Sequence, residues 1–241
     1  MRLSDFDYPL PPDLIAQIPG VRRALEAMRI PVLEYPGYEA DDVIGTLARA
    51  AVEHGIETVI VSSDKDMLQL VNDQVSMLNP MKDDTLYDET KTVEFMGVKP
   101  SQIADLLALK GDSVDNIPGA PGIGDKGAKD LIQRFGSVEA AMDRAAEVEK
   151  RTYRESLQNN RAQIELSKQL ATIQTNVPIE WTPESLTARP PDQTALKALY
   201  KGFEFFSLLK ELGPSEDDGP KDYQSLESKA ALEEWFAGIP S

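Results

Sequence analysis

Cysteine is absent from all 241 residues, and histidine occurs once. The first absence excludes disulfides and any thiolate-bound metal. The second leaves too little for a zinc site or a histidine relay. His54, in VEHGIE just ahead of the helix-stopping Gly55, reads as a surface residue. No apolar run approaches the ~20 residues of a membrane span. The opening MRLSDFDYPLPPDL lacks the apolar stretch of a secretory signal. Together these absences point to a reducing cytoplasm and no membrane partner. Positive charge is scarce too: 25 Lys and Arg stand against 41 Asp and Glu, a net charge of −16. A uniformly acidic surface would argue against nucleic acid, because phosphate binding wants a basic face. Acids gathered on divalent ions, or in a solvated tail, carry no such implication. Their positions therefore decide.

An apolar content of 41% with 27% charged residues is ordinary for a globular chain. Its length suits one large or two small domains. LIAQIPGVRRALEAM (14–28) predicts a helix begun or interrupted at Pro19, and PVLEY (31–35) a short strand. ADDVIGTLARAAVEHG has apolar residues at helical spacing and stops at Gly55. TVIVSS (58–63) is a continuous apolar run, as for a strand buried on both faces. A short helix in DKDMLQLV and strands in VSMLNP and TLYD follow. This alternation argues for an α/β unit with a mostly parallel sheet over residues 1–90. Residues 91–212 are helical in pattern: ETKTVEFMG, PSQIADLLALKG, DKGAKDLIQRFG, SVEAAMDRAAEVEK, one long helix over 150–172, and one or two more over 192–212. GPSEDDGPK (213–221) is a polar linker. Residues 222–241 are too few to bury a core and look like the start of a further domain.

The acids cluster at element boundaries. Glu39, Asp41 and Asp42 lie between PVLEY and the next helix. Asp64 and Asp66 follow TVIVSS, and Asp112 and Asp115 follow IADLLAL. Helix capping stabilises by ~0.3–1 kcal/mol per acid, and Asp64 alone is as consistent with a cap as with a ligand. Three acids together are not, because a further carboxylate ~4 Å away costs about 1–4 kcal/mol. A divalent cation reverses that balance. In an open α/β sheet, ligands bind beyond the carboxyl ends of the strands. An all-oxygen donor set suits Mg²⁺ or Mn²⁺ rather than zinc. Two such ions ~4 Å apart activate a water and stabilise a leaving oxygen in phosphodiester hydrolysis. Phosphatases and response regulators also carry acid pairs after strands, but their later lysine or threonine has no counterpart here.

NIPGAPGIGDKGAKDL (116–131) lies between two helical patterns. Gly119, Gly122 and Gly124 permit tight turns around Ile123. Amides at the helix start after Gly124 can hold a phosphate. Lys126 and Lys129 oppose the helix dipole unless an anion is present. No GK[ST] follows, so this is not a P-loop. Helix, glycine hairpin, helix is a pattern of backbone-phosphate DNA binding. An ordinary helix connection is the alternative, against which Pro118 and Pro121 count. Lys150, Arg151 and Arg154 offer a basic patch, or simply a solvated helix face.

GYEADDVIGTLA, VSSDKDMLQLV and LKGDSVDNIPGAPGIGDKGAKDLIQRFGS together carry a family resemblance. Residues 8–212 resemble the 5′-nuclease domain of bacterial DNA polymerase I, which belongs with the flap endonucleases and 5′–3′ exonucleases. The resemblance implies a PIN-like, mostly parallel sheet flanked by helices, then a helical subdomain with a helix–hairpin–helix. It implies a bacterial, nucleoid-associated enzyme of replication and repair that hydrolyses branched or nicked duplex DNA bearing a 5′ flap. Glu39, Asp41, Asp42, Asp64, Asp66, Asp112 and Asp115 match the metal-ligand motifs, with Asp41, Asp42 and Asp64 as catalytic residues. Gly119, Gly122, Ile123, Gly124, Lys126 and Lys129 match the duplex-gripping hairpin, at which K⁺ is expected. Where Gly127 stands the family usually has threonine or a similar residue, a minor departure. PPDLIAQIPGVR starts only at residue 11, so two further aspartates, a first strand and a basic arch of the family are expected to be missing; Asp5 and Asp7 match neither aspartate motif. LYKGFEFFSLLKELG resembles the end of the nuclease region, and DYQSLESKAALEEWF the opening of the polymerase's proofreading-exonuclease-like domain. The other reading is a non-catalytic, structure-selective DNA-binding module.

Overall fold

Alternation of apolar residues builds the sheet. Strand β1 (Thr58–Val61) pairs in parallel with β2 (Val75–Asn79), placing Ile60 opposite Met77. Strand β3 (Thr85–Tyr87) adds antiparallel to β2, placing Tyr87 opposite Met77. The connection lengths impose these directions. The β1–β2 crossover is long enough to return the chain for parallel pairing, whereas the short turn at 80–84 permits only a hairpin. Ile60, Met77 and Tyr87 are buried on one face. The structure, a computed structural model, describes residues 12–213, 228–230 and 235. The linker expected at 213–221 apart from Gly213, most of the expected domain start at 222–241, and Asp5 and Asp7 lie outside the described residues.

Two expectations for the strands fail. TVIVSS is not buried on both faces: Val59 and Val61 are 55% and 64% exposed. The described elements cover only the Ile60 side. PVLEY forms no strand. β-branched residues favour a strand only where a ladder is available, and this segment pairs with no described strand; Val32 and Leu33 are exposed.

The described residues fall into two units, of which Leu33–Ser185 is one. Helix α2 (Ala40–Glu53) packs on β1 through its buried apolar stripe and ends ahead of Gly55 at φ +71°. Helix α3 (Glu89–Met96) starts at Asp88, whose carboxylate accepts from the Lys91 amide at 2.8 Å. Helix α4 (Ile103–Lys110) is apolar almost all round, and Ile103, Leu106, Leu107 and Leu109 are fully buried. It packs against α5 (Asp125–Phe135), α6 (Val138–Asp143) and α8 (Arg161–Ala171). Its one buried acid, Asp105, receives Lys168 Nζ at 2.7 Å and the Val138 amide at 3.1 Å. Helix α7 (Arg151–Asn159) and α8 replace the single long helix expected over 150–172. The break is at Asn160, which leaves helical geometry at φ −119°, ψ 26° and bonds back to the Ser156 carbonyl.

The other unit contains α1 (Pro12–Ala27), α9 (Gln193–Gly202) and α10 (Phe206–Glu211). Pro19 lies inside α1 rather than at its start. Ala27, Leu196 and Leu199 make a small core, and Asp192 joins the helices by capping α9 while its amide bonds to Ala27 at 2.8 Å. Among the described residues no helix is long and apolar enough to cross a membrane.

Candidate metal centre and nucleic-acid interface

Two buried elements deliver the acids. Beyond the carboxyl end of β1, Asp64 caps the 3-10 turn Lys65–Leu70 by accepting the Asp66 amide at 2.9 Å. The turn carries Met67 and Leu68 into the core, which draws Asp66 inward to 9% exposure. At the end of α4, Gly111 turns the chain at φ +73°. Asp112 and Ile117 then exchange backbone bonds of 2.9 and 2.7 Å, with Asn116 at φ +54°. Asp112 Oδ1 accepts the Val114 amide at 2.9 Å. This small closed loop fixes Asp112 and Asp115 at the negative end of the α4 dipole, where a cation is stabilised.

One carboxylate oxygen from each of Asp66, Asp112 and Asp115 lies within 4.8 Å of the others. Asp66 Oδ1 is buried with no hydrogen-bond partner. Its closest cation, Lys65 Nζ, is 3.7 Å away, and that ammonium is bonded instead to Asp112 Oδ2 at 2.8 Å. A buried acceptor without a donor is costly, and it points at a group the protein itself does not supply. Hard oxygen donors at this spacing fit a divalent cation.

The electrostatics bind the three clusters together. Burial pushes Asp66 up to about 6; Lys65 opposes this, while Asp64, Asp112 and Asp115 add to it. Burial also pushes Asp41 up to about 6, helped by Asp64, Glu39, Asp42 and Asp115. Asp115 is raised by burial, Asp112 and Asp64. Burial would raise Asp112 as well, but the Lys65 hydrogen bond, the Val114 amide and the charges of Lys65 and Lys110 hold it below the ordinary range. Asp41 thus feels both Asp64 and Asp115 from the first turn of α2.

The first cluster is divided in its roles. Glu39 precedes α2 as its N-cap residue, yet makes no side-chain capping bond. Asp42 Oδ1 accepts the Gln174 amide at 2.8 Å, and Thr46, one turn on, accepts the Val177 amide at 3.1 Å. Asp42 therefore ties residues 174–177 to α2, and Glu39, Asp41 and Asp42 are not in the tight group of oxygens. The residue that sequence reasoning passed over is Lys65. Its only signal was its place between two aspartates in SSDKDM.

The glycine loop crosses its own backbone. Gly119 sits at φ +66°, and a Cβ there would meet the Gly111 amide nitrogen at 2.5 Å. Ser167 Oγ accepts the Gly119 amide at 3.0 Å, and Gln163 donates to the Gly119 carbonyl at 2.8 Å. The Ile123 side chain is buried, whereas Gly122 and Gly124 are exposed. Gly124 is the N-cap of α5 in extended conformation, and the first amides of that helix have no acceptor inside it. Lys126 is exposed beside them; Lys129 is bonded to Asp125 at 2.7 Å. Gly127 faces Tyr153, whose ring fills the space of any Cβ there and carries Lys150 Nζ 3.7 Å above it. Of the patch expected at 150–154, Arg151 is paired with Glu155 at 2.6 Å and Arg154 donates to the Val148 carbonyl at 2.7 Å.

The chain as a whole is similar to several known proteins. Residues 8–97 match the family described as 5'-3' exonuclease, N-terminal resolvase-like domain, and residues 98–194 match 5'-3' exonuclease, C-terminal SAM fold. The 5'-3' exonuclease of Aquifex aeolicus is 40% identical over 202 residues, covering 84% of this chain and 68% of its own. DNA polymerase I of Chloroflexus aurantiacus is 41% identical over 211 residues, covering 84% of this chain but 22% of its own length. The chain thus spans about a quarter or less of the DNA polymerase I relatives it matches. A structure of T5 5'-exonuclease with bound divalent metal ions (zinc) superposes with a TM-score of 0.55 at 25% identity, covering 73% of this chain and 62% of the other.

Proposed function

This chain belongs to the 5'-3' exonuclease family, and from that premise we propose that it hydrolyses phosphodiesters at the 5′ ends and flaps of branched or nicked duplex DNA. The observation that carries the reading is the buried, unpartnered Oδ1 of Asp66, a carboxylate that gathers with those of Asp112 and Asp115. Asp66, Asp112 and Asp115 would hold one divalent ion, and Glu39, Asp41, Asp42 and Asp64 would supply the carboxylates for a second. Oxygen donors throughout favour Mg²⁺ or Mn²⁺. When bound, the ions supply an activated water and stabilise the leaving oxygen.

The protein's own residues orient and position. Asp64, fixed as a cap, holds the Asp66 backbone, and the 112–117 loop holds Asp112 and Asp115. Beyond Gly124, the amides that open α5, with Lys126, grip the duplex backbone by its phosphates. Loop carbonyls around Gly119 and Gly122 take K⁺. The core up to residue 90 thus carries the first two carboxylate clusters, and the helical part over 91–212 carries the third and the duplex.

A labelled 5′-flap duplex tests the reading. Mg²⁺ supports cleavage, excess EDTA abolishes it, and Asp66→Asn slows it by about a hundredfold or more. Cleavage that survives EDTA unchanged sinks the metal mechanism. Duplex binding without cleavage at any Mg²⁺ or Mn²⁺ concentration reduces the chain to a DNA-binding module.

A further inference from the structure

Lys65 stands where a cation is wanted. Its Nζ is 2.8 Å from Asp112 Oδ2 and 3.7 Å from Asp66 Oδ1, and these are two of the three carboxylates whose oxygens gather. Its backbone is pinned between Asp64 and Asp66 by the capping bond of the 3-10 turn. Its side chain is 37% exposed. An ammonium and a divalent ion cannot share the same oxygens, because like charges a few ångströms apart repel strongly away from bulk water. A lysine head on a flexible stem can leave for solvent without moving the backbone.

We propose that Lys65 is a tethered competitor for the divalent ion: its ammonium holds Asp112 and Asp66 together before loading, and must leave Asp112 for the ion to bind. The inference rests on the metal reading above. Lys65 is a positioning residue in this scheme, and the strength of its bond to Asp112 sets the metal affinity. A purely structural ion pair predicts the opposite sign. Removing a strut loosens Asp112 and weakens metal binding, whereas removing a competitor tightens it.

Mn²⁺ titration of the whole chain, followed by the paramagnetic resonance of free Mn²⁺, separates these cases. Lys65→Met, which keeps the stem and loses the charge, should bind Mn²⁺ about tenfold more tightly than the native chain. Lys65→Arg should bind no more tightly than the native chain. Equal or weaker binding by Lys65→Met overturns the proposal while leaving the metal site standing. No Mn²⁺ binding by the native chain overturns the metal reading itself, and this inference with it. A measurement on the native chain avoids any folding defect of a variant. Acetylation of Lys65 by acetic anhydride, read by mass spectrometry, should accelerate when Mn²⁺ is added. Labelling that is unchanged or slower overturns the competitor role.

Discussion

Asp41 and Asp66 resist ionisation for the same first reason, burial, and their acidic neighbours reinforce it. An acid raised in the folded state binds protons more readily folded than unfolded. Folding is therefore favoured as pH falls from about 6 toward 4, and this contribution is lost as pH rises through the folded values. Asp112 and Glu139, held low chiefly by their bonds to Lys65 and Lys168, act in the opposite sense, and that loss begins only near and below pH ~4. The metal-free chain should consequently melt at a higher temperature at pH 5 than at pH 7.5. Divalent ions reverse the order, because their ligands must be deprotonated and binding stabilises the folded state by mass action. Thermal scans in EDTA and in Mn²⁺ at the two pH values check this. A midpoint in EDTA that climbs from pH 5 to pH 7.5 contradicts the assignment of half-buried Asp41 and buried Asp66 as crowded acids.

At the scale of elements, the α4–α5 connection depends most on one residue. Gly119 combines a left-handed backbone with an approach to Gly111 that leaves no room for a methyl group. Both obstacles are backbone, so neither can rotate away. Gly119→Ala should cost about 3 kcal/mol or more, adding left-handed strain to overpacking, and denaturant unfolding measures it. Gly122→Ala, at a similar φ but with open space around it, should cost about 1–2 kcal/mol. Equal losses would mean that the crossing at Gly111 is not tight. That Gly119 mattered was legible in the sequence, because glycines and prolines punctuated two clearly periodic helices. The backbone it crosses was not, since nothing local in NIPGAPGIG encodes Gly111 as a neighbour. The same division runs through the rest of the chain. Helices α2, α3 and α5 were legible from apolar spacing and their closing glycines. The break at Asn160 was hidden because the helical pattern continues through it. PVLEY was misread because strand propensity names a candidate and pairing makes the strand. At the site, the carboxylates were legible as acids at element ends. The bond from the Gln174 amide to Asp42 and the bond from Lys65 to Asp112 join residues far apart in sequence, and only the fold brings them together.

For the whole molecule, a charge of −16 must be reconciled with the polyanionic substrate proposed above. Part of the answer is that the acids at the candidate site converge on a position for cations. The rest lies in how few cations the proposed duplex interface needs. Arg151 is paired and Arg154 is bonded to backbone, so the proposed grip at the hairpin would rest on the α5 amides and on Lys126 and Lys129. These two lysines are not equivalent. Lys129 is already neutralised by Asp125 at 2.7 Å, whereas Lys126 has no ion-pair partner among the described residues. Each lysine that neutralises a phosphate contributes about −0.9 to the slope of log affinity against log salt, whereas an uncharged amide contributes far less. Affinity for a nicked duplex should therefore fall with salt on a shallow slope for a DNA-binding protein. Lys126→Ala should flatten that slope by about 1, and Lys129→Ala by distinctly less, because Asp125 must first be released. Fluorescence anisotropy of a labelled nicked duplex, titrated at several salt concentrations in EDTA, measures all three slopes. Identical slopes in the native chain and Lys126→Ala would remove α5 from the interface and leave the acidic chain without its proposed grip on DNA.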